Sequence, residues 1–291
     1  MSRAKPVVTA ITAVNHPVSR LFAFAKERHA IYDKWRLDAP RPWTQDQILS
    51  SYRFCNVYRE LDAVTQWITK NWRTPNMDDK DLWFAMCVAR LFNQPDCLQD
   101  VGYPVPWKPD ATLKKLGERQ KKGFLVFNAA YIVSTNGIAT SKTKYVVNDV
   151  LTPLWQARER LRPKPEDTLN SYHMLLGQMQ GFGSFMTAQV IADMKYVAPL
   201  KDAKDWWTFA ASGPGSRRGL NYVLGRERKS PWTEDEWRSE LHRLQCEIAP
   251  MFKNARMPPP HAQDIQNLLC EWSKYWRAVT EGKMPKQRYR A

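Results

Sequence analysis

Two glycine-containing segments carry the residue types that bind phosphate. In the first, residues 178–189, Gly181 and Gly183 stand one residue apart and Ser184 follows them. This pattern predicts a tight turn that opens a helix whose backbone N–H groups face an anion. The second segment, residues 213–221, combines three glycines with two adjacent arginines and predicts a loop that cradles phosphate. The candidate phosphate ligands of that loop are Gly213, Gly215, Ser216, Arg217, Arg218 and Asn221.

Carboxylates at two places are candidates for acid–base chemistry. A helix is predicted over residues 261–280, and at about 100° per residue four of its polar side chains fall in one strip beside an apolar face. They are Asp264, Asn267, Glu271 and Lys274. Such a strip either lines a cleft or forms a surface ladder of ion pairs. Asp193 is the second candidate, either as a base or as a solvated helix residue paired with a lysine.

The secondary-structure elements that position these groups are predicted to be helices. Thr44 is a predicted N-cap, and apolar residues at helical spacing predict one long amphipathic helix over residues 44–70. Asn56 and Arg59 fall on its polar side, with Arg53 at the border. Further helices are predicted over residues 78–92, 113–122, 146–160, 168–177, 206–211 and 234–252, and residues 124–134 read as strand or helix. A mainly α fold of two helical lobes with a cleft between them is expected.

The charge of the chain favours nucleic acid as a partner. Lys and Arg number 44 against 29 Asp and Glu, a formal net charge of +15. The five cysteines form no CxxC pair and the five histidines have no metal-ligand spacing, so neither a metal nor a cofactor is expected. No apolar run has the length of a bilayer span, and a cytoplasmic protein without a membrane partner is expected. Residues 281–291 form a basic tail.

The motifs of the sequence argue against some classes of enzyme and favour one DNA-binding element. The sequence has no GxxxxGK[ST] segment, which argues against a nucleotide kinase of the P-loop class. The Gly181–Gly183 turn resembles the helix-hairpin-helix of DNA glycosylases, in which such a turn and the helix after it hold the DNA backbone; here Gly181, Gly183 and Ser184 would do so. Phe185 stands where lyase-type glycosylases carry a Schiff-base lysine, so lyase activity is disfavoured.

Four segments together resemble a known family. They are residues 53–62 (RFCNVYRELD), the hairpin with Asp193 to Tyr196, residues 213–221 (GPGSRRGLN) and residues 264–275 (DIQNLLCEWSKY). In this order they are similar to the alpha-glutamyl/putrescinyl thymine pyrophosphorylases of bacteriophages, which are amino acid:DNA transferases. The resemblance spans about residues 45–280 and implies a helix-hairpin-helix, DNA glycosylase-like fold. Because the connections have the length of loops and not of linkers, a single domain over residues 1–291 is expected.

The resemblance also implies an activity and its site. Such an enzyme replaces the phosphate or pyrophosphate of a 5-phosphorylated-methyluracil in DNA with an amine. Its partners would be DNA that contains modified thymine, an amino acid or polyamine donor, and a separate kinase for 5-hydroxymethyluracil DNA. The implied catalytic residues are Asp193, Glu271, Arg53 and Asn56, with Asp193 or Glu271 as the base or as the site for the ammonium group of the donor. The implied substrate-binding residues are Arg59, Asn267, Lys274 and the 213–221 set, of which Arg217 and Arg218 would bind the leaving phosphates.

Two other functions are compatible with the same residues. A monofunctional DNA glycosylase would use the hairpin and one carboxylate to release a modified base. A non-catalytic helix-hairpin-helix protein would bind DNA with the hairpin and the basic tail.

Overall fold

The computed structural model describes residues 9–128, 134–135 and 137–289. Within these ranges helices dominate, no strand is formed, and a single bridge pairs Tyr52 with Arg288. The prediction of a mainly α fold is confirmed. Contacts between Cα atoms divide the chain into two compact units: a first unit of Met1–Asp62 with Thr208–Ala291, and a second unit of Ala63–Trp207. None of the described helices has both the length and the apolar character needed to cross a bilayer.

The α-helices of the described residues are numbered in chain order. In chain order they are α1 (Pro17–Arg36), α2 (Gln47–Ser51), α3 (Ala63–Ile68), α4 (Leu82–Phe92), α5 (Pro95–Val101), α6 (Pro109–Lys121), α7 (Lys142–Lys144), α8 (Thr152–Gln156), α9 (Arg158–Leu161), α10 (Leu169–Leu176), α11 (Ser184–Met194), α12 (Pro214–Val223), α13 (Glu234–Asn254) and α14 (Ala262–Glu281). Short 3₁₀ turns lie at Arg59–Leu61, Thr74–Asn76 and Leu200–Asp202, and π-helical turns at Thr69–Arg73 and Tyr145–Leu151.

The first unit is built around α14. Helices α1, α12 and α13 pack against it, and the Phe24 ring of α1 lies 5.6 Å from Trp272 and 5.1 Å from Tyr275, measured between ring centroids. The α12–α14 contact is close because two glycines of α12 face α14. A Cβ atom on Gly219 would overlap the carbonyl oxygen of Leu269, so only glycine fits there at this helix separation.

The second unit has a different core. Every residue of α4 is buried, which its nearly continuous apolar sequence explains. Helix α11 packs on α4, and α10 packs on α11. The connection between α10 and α11 contains the glycine turn singled out from the sequence.

Several predicted elements are correct and three are wrong. The helices predicted near residues 168–177, 234–252 and 261–280 are present as α10, α13 and α14. The single helix over residues 44–70 is wrong, because α2 ends at Ser51 and residues 52–58 form no helix. Residues 206–211 form a turn and irregular chain instead of a helix. The predicted loop at residues 213–221 is mostly helix α12, because Pro214 at its first turn and the Ser216 cap favour a helix start.

One predicted segment is only partly described. Residues 124–128 form neither helix nor strand, and residues 129–133 of the predicted apolar element lie outside the described residues.

Candidate functional site

Helix α14 presents its polar strip to the chain segment that follows α2. We call the strip, which comprises Asp264, Asn267, Glu271 and Lys274, the α14 strip. Asn267 donates from Nδ2 to the carbonyl oxygen of Asn56 over 3.1 Å, and the Glu271 Oε2 atom accepts the backbone N–H of Cys55 over 3.2 Å. These bonds replace helical hydrogen bonds of residues 55 and 56. They explain why the segment does not continue α2, although its apolar spacing is helical.

Asn56 is the centre of this arrangement. Its Oδ1 atom accepts from Arg28 Nη2 over 2.7 Å, and its Nδ2 donates to the Leu61 carbonyl over 2.8 Å. Its backbone N–H donates to Asp62 Oδ1 over 3.0 Å, while its carbonyl accepts from Asn267. The Asn56 amide is buried, and both of its ends are engaged. Asn56 therefore positions Asp62 and the segment around it.

The two predicted site arginines of this segment differ in their surroundings. The backbone N–H of Arg59 donates to Asp264 Oδ1 over 3.1 Å. The Arg59 side chain is 11% exposed and lies 4.0 Å from the Glu60 carboxylate. Arg53 is exposed, and its backbone N–H donates to the carbonyl of Gln287 over 2.9 Å. The basic tail is thereby attached to the segment that carries the candidate site.

Two carboxyl groups of this cluster have different environments. Glu271 Oε1 lies 2.5 Å from the Lys274 ammonium group, so this carboxylate is half of an ion pair. Burial raises the pKa of Asp62, and the hydrogen bond from Asn56 only partly offsets it. Burial lowers the pKa of Lys274, but the charge and hydrogen bond of Glu271, together with Cys55 and Cys270, raise it on balance, which keeps the ammonium charged. A buried carboxyl group with a raised pKa is a common feature of functional sites.

Sequence reasoning missed Asp62 as a candidate base. Asp62 is the last residue of the 53–62 motif. Its carboxylate, six residues after Asn56, is the feature of the sequence that could have identified it. Cys55 is a weaker candidate for chemistry. The Glu271 carboxylate and burial raise its pKa well above the usual range, which disfavours the nucleophilic thiolate.

Asp193 lies in the second unit and is fully buried. Arg90 of α4 contacts both of its carboxylate oxygens, with Nε 2.5 Å from Oδ2 and Nη2 2.6 Å from Oδ1. The Arg73 guanidinium lies 3.9 Å from Oδ1. The prediction of a solvated residue paired with lysine is therefore wrong. A bidentate pair with arginine at a fully buried position favours a structural role for Asp193.

The predicted phosphate ligands at the start of α12 are largely engaged within the protein. The Gly213 N–H donates to Ser216 Oγ over 3.0 Å. Arg217 donates from Nε to Ser212 Oγ over 2.7 Å and from Nη2 to Glu234 Oε2 over 3.0 Å. Gly215 faces α14, where a Cβ atom would overlap the Cys270 sulfur. Gly213 and Arg217 are thus bonded within their own unit, and Gly215 contributes to the contact between α12 and α14. Phosphate binding by the backbone N–H groups at this helix start stays a prediction.

The end of α12 holds the next loop in place. Asn221 is buried; its Oδ1 accepts from Trp232 Nε1 over 2.7 Å, and its Nδ2 donates to the carbonyls of Arg228 and Ser230 over 3.2 and 3.0 Å. Arg218 differs from Arg217, because the described residues give its Nε atom no hydrogen-bond partner. Of the two predicted phosphate-binding arginines, Arg218 is the one with a spare donor.

The glycine turn before α11 is formed as predicted. Gly181 has a left-handed φ of +84°, and a Cβ atom there would come within 2.7 Å of a Val150 methyl carbon. Gly183 is the N-cap residue of α11, and Ser184 and Phe185 in the first turn are exposed. Backbone contact with DNA at this turn stays a prediction, and all these residues belong to the second unit.

The fold and site define a basic, mainly helical protein with a buried polar cluster on its first unit. The family model described as "5-hmdU DNA kinase, helical domain" matches residues 15–284, so the chain belongs to that family. The protein named 5-hmdU DNA kinase of Bacillus phage SP10 is 26% identical over 287 residues. That alignment covers 85% of this chain and 44% of the phage protein, so the chain spans less than half of the curated relative.

The comparisons show similarity to a phage DNA kinase, and they do not identify the transferase family that the motifs of this chain resemble. No solved structure matches the chain.

Proposed function

We propose that the chain acts on phage DNA that contains modified thymine and replaces the phosphate of a 5-phosphorylated-methyluracil with an amine. Its family and its phage relative, both named for 5-hmdU DNA kinase, support a role on such DNA. The absence of a GxxxxGK[ST] segment from the sequence argues against ATP binding by a P-loop of its own. An enzyme that uses the product of a separate kinase fits both facts.

The observation that carries the proposal is the cluster of Asp62, Glu271 and Lys274. An amine donor arrives as an ammonium ion and needs a base before its nitrogen can attack. Asp62 has the raised pKa that suits this task. The nitrogen then forms a bond to the exocyclic CH2 carbon, the C–O bond to phosphate breaks, and the phosphate leaves with the bonding electrons. The proton lost from nitrogen goes to Asp62.

Lys274 and Glu271 have a second task in this scheme. The Lys274 side chain is 46% exposed, so its ammonium group can reach a ligand while it stays paired with Glu271. A fixed cation at this place stabilises the negative charge of the departing phosphate. The α14 strip holds Cys55 and Asn56, and with them the Asp62 carboxyl, at one end of the same cluster.

A second candidate function is the presentation of DNA to a kinase domain. It is favoured by the phage relative, which is named a kinase and extends well beyond the matched region. In that case the chain binds DNA that carries 5-hmdU, and another polypeptide segment transfers the phosphate. The glycosylase alternative has no support from the comparisons.

The test uses DNA that contains phosphorylated 5-hydroxymethyluracil, incubated with the protein and a pool of amino acids and polyamines. Digestion to nucleosides and mass spectrometry should show a nucleoside that carries an amine, together with released phosphate. Free base and abasic DNA would instead identify a glycosylase. Unchanged DNA would refute amine transfer with these donors.

Matched variants connect the activity to the site. Asp62→Asn keeps the acceptor oxygen for Asn56 but cannot take a proton, so it should abolish amine transfer. Asp38→Asn changes an exposed aspartate of the same unit and should leave the rate unchanged. Equal activity in the two variants would remove Asp62 from the mechanism. DNA labelling from ATP by the chain alone would overturn the assignment to a step after the kinase.

A further inference from the structure

A pocket of about 470 Å³ lies between α12, the loop after it and the last turns of α14, within the first unit. Six basic side chains line it, and no carboxylate is among its lining residues. The basic residues are Arg217, Arg218, Arg228, Lys229, Arg277 and Lys283. We call this feature the basic pocket. Its charge is the first sign of an anionic ligand.

Two nearby carboxylates neutralise only part of this charge. Glu234 lies 3.0 Å from Arg217. Glu281 lies 2.7 Å from Arg228 and 3.3 Å from Lys283. Each carboxylate contributes one negative charge, so the pocket keeps a surplus of positive charge.

The surplus resides on Arg218, Lys229 and Arg277. Among the described residues no carboxylate forms an ion pair with any of the three. The Nε atoms of Arg218 and Arg277 are shielded from water, and the described residues offer them no hydrogen-bond acceptor. Neither guanidinium group therefore uses its full set of donors within the described residues. An anion in the pocket would give both guanidinium groups an acceptor.

The walls of the pocket are fixed before any ligand binds. Asn221 ties the loop carbonyls of residues 228 and 230 and the Trp232 indole to α12. Gly219 allows α12 to lie directly against α14, which brings the Arg218 and Arg277 helices together. A preorganised site loses less conformational entropy on binding than a flexible one.

We propose that the basic pocket binds phosphate groups through Arg218 and Arg277, with Lys229 at its rim. The planar guanidinium group donates paired hydrogen bonds that match phosphate oxygens. The phosphate comes either from the backbone of a DNA strand or from free phosphate or pyrophosphate. This places the predicted phosphate contacts on arginine side chains of α12 and α14 instead of on loop amides. The inference holds whether or not the chain transfers an amine.

The test compares two double variants of equal charge. Arg218→Gln/Arg277→Gln removes the pocket donors, while Arg36→Gln/Arg243→Gln removes two exposed arginines of the same unit. DNA binding is followed by fluorescence anisotropy across a salt series, with short single-stranded and duplex DNA. Competition by inorganic phosphate and pyrophosphate, and their effect on the melting temperature, form the second arm. Lys229→Gln is a third variant. Because Lys229 is exposed, this change should not disturb folding, so it tests the pocket even if the double variant misfolds.

A DNA-backbone site predicts that the pocket variant loses about 100-fold in affinity, since each charge-assisted bond contributes roughly a factor of ten. The slope of log K against log salt should fall by about 1.8 for duplex DNA. A free-phosphate site predicts that pyrophosphate stabilises the wild-type protein and the control but not the pocket variant. Lys229→Gln should lower the affinity for DNA, or the stabilisation by pyrophosphate, by a smaller factor than the double variant. Pocket and control variants that agree in both arms would overturn the proposal.

Discussion

Replacement of Gly219 by alanine tests whether glycine sets the distance between α12 and α14. The new Cβ atom would lie 2.7 Å from the carbonyl carbon of Leu269 and 3.0 Å from its Cα atom, and it would overlap the carbonyl oxygen. All three atoms are backbone, so no side-chain rotation relieves the contact. The two helices must move apart.

The magnitude follows from two opposing effects. Alanine in a helix interior is favoured over glycine by about 1 kcal/mol. Overpacking costs about 1–3 kcal/mol where side chains can adjust, and rigid backbone places this site at or above the upper end. We therefore expect Gly219→Ala to lower the free energy of unfolding by about 2 kcal/mol, the difference of these effects.

Gly117→Ala is the matched control. Gly117 lies inside α6, where a Cβ atom would meet nothing within 4 Å. The same chemical change should there raise stability by about 1 kcal/mol. Urea denaturation followed by circular dichroism measures both variants, and hydrogen exchange of α12 and α14 peptides assigns the loss to the first unit. A Gly219→Ala protein as stable as the wild type, with unchanged exchange in α12 and α14, would refute the reasoning.

Three further predictions concern single residues. Arg90→Met should lower the free energy of unfolding by about 3–5 kcal/mol in urea denaturation, because it removes the bidentate partner of the buried Asp193 carboxylate, from which the Arg73 guanidinium is more distant. A cost below about 1 kcal/mol would contradict a structural pair. Burial raises the pKa of Asp62, so its contribution to stability is present below the ordinary aspartate pKa of about 3.9 and is lost as pH rises through the raised value. Asp62→Asn should consequently be at least as stable as the wild type at neutral pH in thermal melts, and a clear loss of stability there would contradict this. Gly181→Ala should cost about 1–2 kcal/mol for its left-handed backbone alone and weaken DNA binding in anisotropy assays. Gly183→Ala, in open space with φ of −64°, should cost less, because only the preference of the N-cap position opposes alanine there. Equal stability of the two variants would show that the turn is not constrained.

Local periodicity predicted which residues share a face but not what that face contacts. The α14 strip follows from helical geometry alone, and Asn267 and Glu271 do lie on one side of α14. The failure at residues 44–70 has a tertiary cause. Hydrogen bonds to side chains of α14, more than 200 residues away in sequence, hold residues 55–59 out of an α-helix, and no local pattern encodes that partner.

Glycine and charge patterns were ambiguous for a different reason. The glycines of residues 213–219 permit close helix packing, and the same residue type would serve a phosphate loop. Asp193 was singled out correctly as an unusual carboxylate, but its partner Arg90 lies 103 residues earlier in the chain. Only the structure shows that an arginine pairs with this acid and that burial raises the pKa of Asp62.

The division of the chain into units has a consequence for its synthesis. The second unit is one continuous stretch, Ala63–Trp207, whereas the first is assembled from both ends of the sequence. The ribosome therefore completes the second unit before it has made α12, α13 or α14. Until then α1 lacks α12, α13 and α14, the helices that pack against it, and its residues Leu21 and Phe24 are fully buried in the finished protein. We expect the stretch 63–207 to gain protease resistance first in nascent chains, and α1 to gain it only after α14 is released.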